Sequence, residues 1–359
     1  MRHLLPDQCA PQHERGSKRA PRPLPLFLEM IRSFGERDPA TARAALEGLS
    51  RYENAAPTNA RTERSIFAQI GPAVLRDFGG EGPPAILVPS LINPPDVLDL
   101  DADVSLASAI ARMGRRSLLL DWGNARERAE LDIGGHVERL LVPLIAKLER
   151  PPALIGYCLG GTMTIASANL APVERVVTIA APWRFTDYPE ESRKSLLDLW
   201  KHARQAAAAL KVLPMEVLQA AFWSLDPART VAKFASFADL DPNSSQARRF
   251  IVLEDWANDG EPLPLPAARE LMEDFFGADL PGTAGWKVGG KTISDRLKVP
   301  SLHFTAAHDR ITPAQSAPHG DVHEIASGHV GMVVGSARKE MQQVLSRFLD
   351  PLAAPRPSR

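Results

Sequence analysis

A mostly parallel, doubly wound α/β sheet interrupted by a helical insertion is the architecture that this 359-residue sequence predicts. Three observations point to it. Short apolar runs alternate with helical segments at the spacing of strand–helix–strand units. That alternation stops between Pro182 and Pro300 and then resumes. A glycine-rich cysteine turn, "GYCLGG", stands where an apolar run passes into a helix.

Along the chain, residues 26–52, "LFLEMIRSFGERDPATARAALEGLSRY", carry apolar positions at helical spacing, and strands are expected at 65–70 and 74–78. "PPAILVP" (83–89) reads as a buried strand and "SLASAIARMG" as the helix after it. "RSLLLDWG" and "GGHVERLLVPLIAKLER" repeat the pair, as do "PALIGYC" and "LGGTMTIASANL", and "ERVVTIAAP" adds another strand. Strands in this order imply a parallel sheet covered on both faces. Beyond the insertion, "KVPSLHFTAAHDR" and "GDVHEIA" supply two further strands, and "GMVVGSARKEMQQVLSRFL" a closing amphipathic helix. The insertion is helical, as in "SRKSLLDLWKHARQAAAALKVLPMEVLQAAFWSL", and a cap over strand ends is where a substrate would be enclosed. The expected organisation is a disordered tail over 1–25, a core over 26–182 and 300–350, a helical cap over 183–299, and a second tail over 351–359.

Composition narrows the function. Lys and Arg number 42 against 43 Asp and Glu, so no field of one sign points to nucleic acid or an anionic membrane. No run of 18 apolar residues offers a membrane span, and the basic N-terminus lacks the apolar stretch of a signal peptide. Two cysteines, Cys9 and Cys158, cannot form a disulfide framework; a reducing, cytoplasmic setting is expected. One motif misleads. "GWKVGGKT" (285–292) fits the phosphate-loop expression, yet no buried strand precedes it and no helix follows, and it reads better as two short strands around a Gly-Gly turn.

Gly156-x-Cys158-x-Gly160-Gly161 at a strand-to-helix junction has the form of a nucleophile elbow, in which the apex residue is held in strained backbone geometry and its neighbours must be small. A buried structural cysteine is the bland alternative. Chain order favours the elbow, because in an α/β-hydrolase fold the acid follows a later strand and the histidine comes last. Asp309 ends "VPSLHFTAAHD", and His329 follows the last strand in "ASGHVGMVV". His303, His308, His319 and His323 compete less well, since His303 lies within a strand and the others lack a loop position after the last one. In this arrangement His329 takes the thiol proton, Asp309 orients the imidazole, and the thiolate attacks a carbonyl. The backbone N–H of Leu159, with that of Ile92 in the loop after "ILVPSLIN", would hold the oxyanion. Phe222, Trp223 and Trp256 in the insertion are expected to enclose the substrate. No cofactor or metal is expected.

"GYCLGG" resembles the elbow of the dienelactone hydrolases and also the cysteine-containing lipase-like box of the polyhydroxyalkanoate synthases. "VPSLINPPDVLDL" with "SLASAIARMGRRSLLLDWG", "RRFIVLEDWANDGEPLP", "VGGKTISDRLKVPSLHFTAAHDRITP" and "GHVGMVVGS" are similar to synthase segments in the same order, between residues 87 and 349. The resemblance implies acyl transfer from 3-hydroxyacyl-coenzyme A to a growing polyester through acyl-Cys158, with the coenzyme A thioester as substrate. A cysteine hydrolase acting on a thioester, ester or lactone is the alternative, and a granule- or partner-binding protein with a non-productive triad is a third reading. The family commonly places histidine after the catalytic aspartate, where this sequence has Arg310. The long N-terminal domain of the single-subunit synthases has no counterpart. The length resembles the short class III subunit, which implies a second, non-homologous subunit, a homo-oligomer and a place at the polymer granule surface.

Overall fold

The computed structural model describes residues 19–56 and 63–350. Residues 1–18 and 351–359 of the expected tails, and Cys9, lie outside the described residues. Within the expected first tail a helix already begins at Leu24.

Eight strands form the central sheet: β1 Ile66–Ile70, β2 Ala73–Asp77, β3 Pro84–Val88, β4 Arg116–Asp121, β5 Ala153–Tyr157, β6 Arg175–Ile179, β7 Ser301–Ala306 and β8 Asp321–Ile325. Their order is β1-β2-β4-β3-β5-β6-β7-β8. β1 and β2 are antiparallel to their neighbours, and every other pairing is parallel. This is the mostly parallel, doubly wound sheet expected of an α/β-hydrolase fold. The period-2 alternation of a strand divides its side chains between two buried faces. Ile86, Val88, Leu118, Leu154 and Val176 enter one apolar cluster. Ala85, Leu87, Leu119, Ile155 and Val177 enter the other. Both faces are covered, so the strands read as continuous apolar runs.

Local chemistry accounts for several element boundaries. The single helix expected over 26–52 is two, Leu24–Gly35 and Pro39–Glu53, because Asp38 caps the second by accepting the Thr41 N–H at 3.0 Å and Pro39 opens it. The closing helix is likewise divided into Gly331–Val334 and Arg338–Leu349, with an extended break at Gly335. In the helical segment 133–145 the turns over Val137–Leu141 are π-helical just before Pro143, which has no N–H to give and would otherwise press on the carbonyl four residues back. The "GWKVGGKT" stretch is the hairpin its residues suggest: Lys287–Val288 pairs with Lys291–Thr292, and Gly289 and Gly290 take positive φ of 56° and 77°.

The chain divides into two compact units, and the division departs from the expected one. Among the described residues, 19–56 group with 228–251, whereas 63–227 and 252–350 hold the sheet and the rest of the insertion. The N-terminal helices are therefore not part of the sheet domain, and the segment 183–299 is split. Within the smaller unit Phe27 meets Phe234 at 4.6 Å between ring centroids, and Phe237 stacks on Phe250 at 4.1 Å. Arg51 donates to the Leu240 carbonyl at 2.8 Å, closing a helix C-terminus.

Two buried histidines of the larger unit make the fold acid-sensitive. His303 sits in the middle of β7, with Nδ1 2.8 Å from Thr178 Oγ1 on β6 and Nε2 3.0 Å from the His319 carbonyl. Burial holds its pKa down, to about 4. His136 lies beside Asp132 and Arg128, and burial together with the Arg128 charge lowers it to about 3. Both are neutral in the fold and can be protonated in the unfolded chain, whose histidines titrate near 6.5. Their stabilisation is therefore complete above pH ~6.5 and is lost as pH falls towards those folded values, on the order of 3 kcal/mol or more for each. The melting temperature should fall between pH 6.5 and 4.5, before most carboxylates titrate. His303→Gln should flatten that slope, and an unchanged slope would contradict this account.

Candidate active site

Cys158, Asp309 and His329 come from three segments that leave the carboxyl ends of β5, β7 and β8, where open α/β sheets place their ligands. Cys158 is the first residue beyond β5 and the one before helix Leu159–Leu170, with φ 54° and ψ −130°, a left-handed conformation for a residue with a side chain. Its N–H donates to the Ile179 carbonyl at 2.9 Å, and its own carbonyl accepts from Gly161 at 2.8 Å, so the turn is held from both sides. The flanking glycines are required sterically. A Cβ on Gly156 would lie 2.5 Å from the Gly161 Cα, one on Gly160 2.2 Å from the Val88 carbonyl oxygen, and one on Gly161 2.3 Å from the Ala181 Cβ. Strand, helix and the 88–92 loop thus approach as closely as backbone allows.

His329 Nδ1–H donates to Asp309 Oδ2 at 2.7 Å, which fixes the tautomer and leaves Nε2 for a proton. Asp309 Oδ1 accepts the Ile311 and Thr312 N–H groups, each at 2.8 Å, so the carboxylate is anchored before it orients the ring. Both side chains are buried. Burial alone would depress the His329 pKa, but the Asp309 charge, then the Cys158 sulfur and the hydrogen bonds to both, raise it above the ordinary histidine value. An imidazolium formed here would be stabilised. The Tyr157 ring lies 5.2 Å from that of His329, a neighbour that the sequence pattern did not single out.

Leu159 is the first residue of its helix, where N–H groups have no intrahelical acceptor and the helix dipole favours negative charge. Ile92, Cys158 and Leu159 line one cavity of about 360 Å³. The Ile92 N–H makes a long 3.4 Å hydrogen bond to Ser90 Oγ, and the Ile92 carbonyl accepts from Glu261 at 3.0 Å. Asp309, Arg310, Ile311 and Thr312 form a second wall. Apart from Tyr188 and Ser192 the rest is apolar and comes largely from the insertion, including Leu196, Leu218, Phe222, Leu271 and Phe276.

The two tryptophans expected to enclose the substrate do not line this cavity. Trp223 is buried elsewhere in the insertion, while its neighbour Phe222 faces the cavity; adjacent residues on a helix point about 100° apart. Trp256 donates its indole N–H to the Pro94 carbonyl at 2.9 Å and packs with the cluster on the other sheet face, so it braces the loop after β3. Three of the four competing histidines are engaged elsewhere, His303 with Thr178, His319 with Asp295 at 2.7 Å and His323 with Glu340 at 3.3 Å. Arg310 pairs with Asp226 at 3.1 Å and is largely exposed. A pair so open to water contributes little to stability.

Sheet order, the strained turn after β5 and the buried His–Asp pair define an α/β-hydrolase-fold chain with Cys158 at that turn. No family model matches it. It is 26% identical to the "Poly(3-hydroxyalkanoate) polymerase subunit PhaC" of Thiocystis violacea over 290 residues, 74% of this chain and 80% of that one. It is 27% identical to the subunit of the same name from Haloferax mediterranei over 272 residues, 70% of this chain but only 55% of that one. Within its fold class the chain is thus similar, at about a quarter identity, to polymerase subunits of that name, and it spans only about half the length of the Haloferax one. Among solved structures, Epoxide Hydrolase A from Mycobacterium thermoresistibile superposes with a TM-score of 0.50 at 16% identity, covering 80% of this chain and 98% of that one. That likeness shows the fold alone. Among the described residues no helix is long and apolar enough to cross a membrane.

Proposed function

We propose that the chain polymerises 3-hydroxyacyl groups from coenzyme A thioesters into polyhydroxyalkanoate through an acyl-Cys158 intermediate. The observation that carries this reading is the Cys158 elbow, with the His329–Asp309 pair beside it and a largely apolar cavity around it, in a chain similar to PhaC subunits. His329 takes the thiol proton, and the thiolate adds to the thioester carbonyl while the oxyanion is held by the N–H of Leu159, with Ile92 the candidate second donor. Collapse of the adduct breaks the carbon–sulfur bond to coenzyme A, whose thiolate receives the proton from His329. Exchange of one thioester for another is nearly isoenergetic, which suits a thiol to a relay. His329 then takes the proton of a polyester hydroxyl, which attacks acyl-Cys158, lengthens the chain by one unit and returns the thiol. The apolar walls disfavour water as the competing acceptor.

A second, non-homologous subunit, a homo-oligomer and a cytoplasmic place at the granule surface belong to the same proposal. The test is to supply purified protein, with a hydroxyl-terminated primer, with 3-hydroxyacyl-coenzyme A thioesters. Coenzyme A release, insoluble polymer and little free acid are expected; stoichiometric free acid with or without primer would assign the chain to the hydrolases instead.

A further inference from the structure

Resting on that functional reading, we infer that the segment Trp256–Glu261 of the insertion is a clamp that holds the Ile92 N–H in place for the oxyanion, so that Trp256 and Glu261 are positioning residues for acylation of Cys158. The loop after β3 is held at three carbonyls. Its near end is fixed from the end of β4, where the Trp122 indole N–H donates to the Pro89 carbonyl at 3.1 Å. The other two carbonyls are held by the insertion: the Glu261 N–H donates to that of Ile92 at 3.0 Å, and the Trp256 indole N–H to that of Pro94 at 2.9 Å. One short stretch of chain thus grips the loop on either side of Asn93. Glu261 is itself tied down, since its Oε2 accepts the Ala125 N–H at 3.1 Å in the turn after β4. Ile92 needs such support. It lies outside the sheet, between β3 and the short 3₁₀ turn Pro95–Leu98, and its N–H makes only the long 3.4 Å bond to Ser90 Oγ, which leaves it open to a better acceptor. An oxyanion donor stabilises charge only when it already stands where the charge will form. A displacement of about 1 Å can cost about a hundredfold in rate. Holding the Ile92 carbonyl fixes the peptide that follows the donor, and holding Pro89 and Pro94 limits how far the loop can turn around it. Neither Trp256 nor Glu261 lines the Cys158 cavity, so both act through the loop.

The experiment compares two reactions of Cys158 in the whole chain, with a melting curve for every protein. One is initial coenzyme A release from 3-hydroxybutyryl-coenzyme A, which passes through a tetrahedral oxyanion. The other is alkylation by iodoacetamide, in which the thiolate displaces iodide at the CH₂ carbon and no oxyanion forms. Trp256→Phe, which keeps a ring but loses the N–H, and Glu261→Ala, which frees the segment from Ala125, should each lower kcat for coenzyme A release about tenfold to a hundredfold. KM and the alkylation rate should stay within about twofold of wild type, because the interaction lost is one made only in the transition state for acyl transfer. Unchanged coenzyme A release in one folded variant would remove that residue from the clamp; in both it would overturn the inference and leave the acyl-transfer reading standing. An equal fall in both reactions would also overturn it, since the damage would then reach the thiolate and His329. If wild type were alkylated but released no coenzyme A, the functional reading would fail, and this inference with it.

Discussion

Replacing Cys158 by Ala is expected to lower turnover by about four orders of magnitude or more while leaving the protein folded. In the proposed mechanism the substitution removes the atom that carries the acyl group, but it takes little volume from a half-buried position and leaves the backbone hydrogen bonds to Ile179 and Gly161 in place. Activity within tenfold of wild type would refute the nucleophile assignment. A companion variant reads out the strain of the elbow. At φ 54° any residue with a Cβ is held uncomfortably, so Cys158→Gly should be equally inactive yet lose the side-chain strain, worth about 1 kcal/mol. A melting temperature for the glycine variant at or above that of the alanine variant is the expected sign.

His329→Ala and Asp309→Asn should both be severe and should differ in kind. In the proposed mechanism both the thiol and the polyester hydroxyl give their protons to the imidazole, so both acylation and chain transfer should fall by about four orders of magnitude or more. In Asp309→Asn the retained oxygen can still accept from Ile311 and Thr312, so the loop stays in place. The new NH₂, however, donates towards Nδ1 where the carboxylate accepted, which moves the ring proton to Nε2, the nitrogen that must be empty to receive the thiol proton. Turnover should fall by about three to four orders of magnitude, yet labelled acyl-enzyme should still accumulate slowly with radiolabelled thioester. Loss of activity in His323→Ala with a normal His329→Ala would show that the wrong histidine had been chosen.

Much of this was legible from the chain itself, for reasons tied to local chemistry. The largely apolar runs of β3, β4, β5 and β6 announce strands buried on both faces, because a short apolar stretch bounded by turn residues suits a central parallel strand. Cys158 stands out because its turn demands glycines on both sides, and a Cβ at Gly156, Gly160 or Gly161 would run into neighbouring backbone or the Ala181 Cβ. Asp309 and His329 followed from chain order, since a parallel sheet returns each loop to the same edge. The break at Asp38 was also written locally, in a capping carboxylate and the proline after it, although apolar periodicity alone ran the helix through it.

What the sequence by itself determined, then, is which elements form and which three side chains meet: propensity, turn geometry and strand order act over a few residues or through a topology with few alternatives. Tertiary structure alone decided which face of each inserted helix turns towards Cys158. An apolar residue on a helix satisfies the same periodicity whether it fills a core or lines a cavity, so Phe222 and Trp223 could not be told apart until packing buried one and left the other on the wall. It likewise decided that the N-terminal helices group with 228–251 rather than with the sheet, because that association rests on contacts such as Phe27 with Phe234, some two hundred residues apart, which no local signal records.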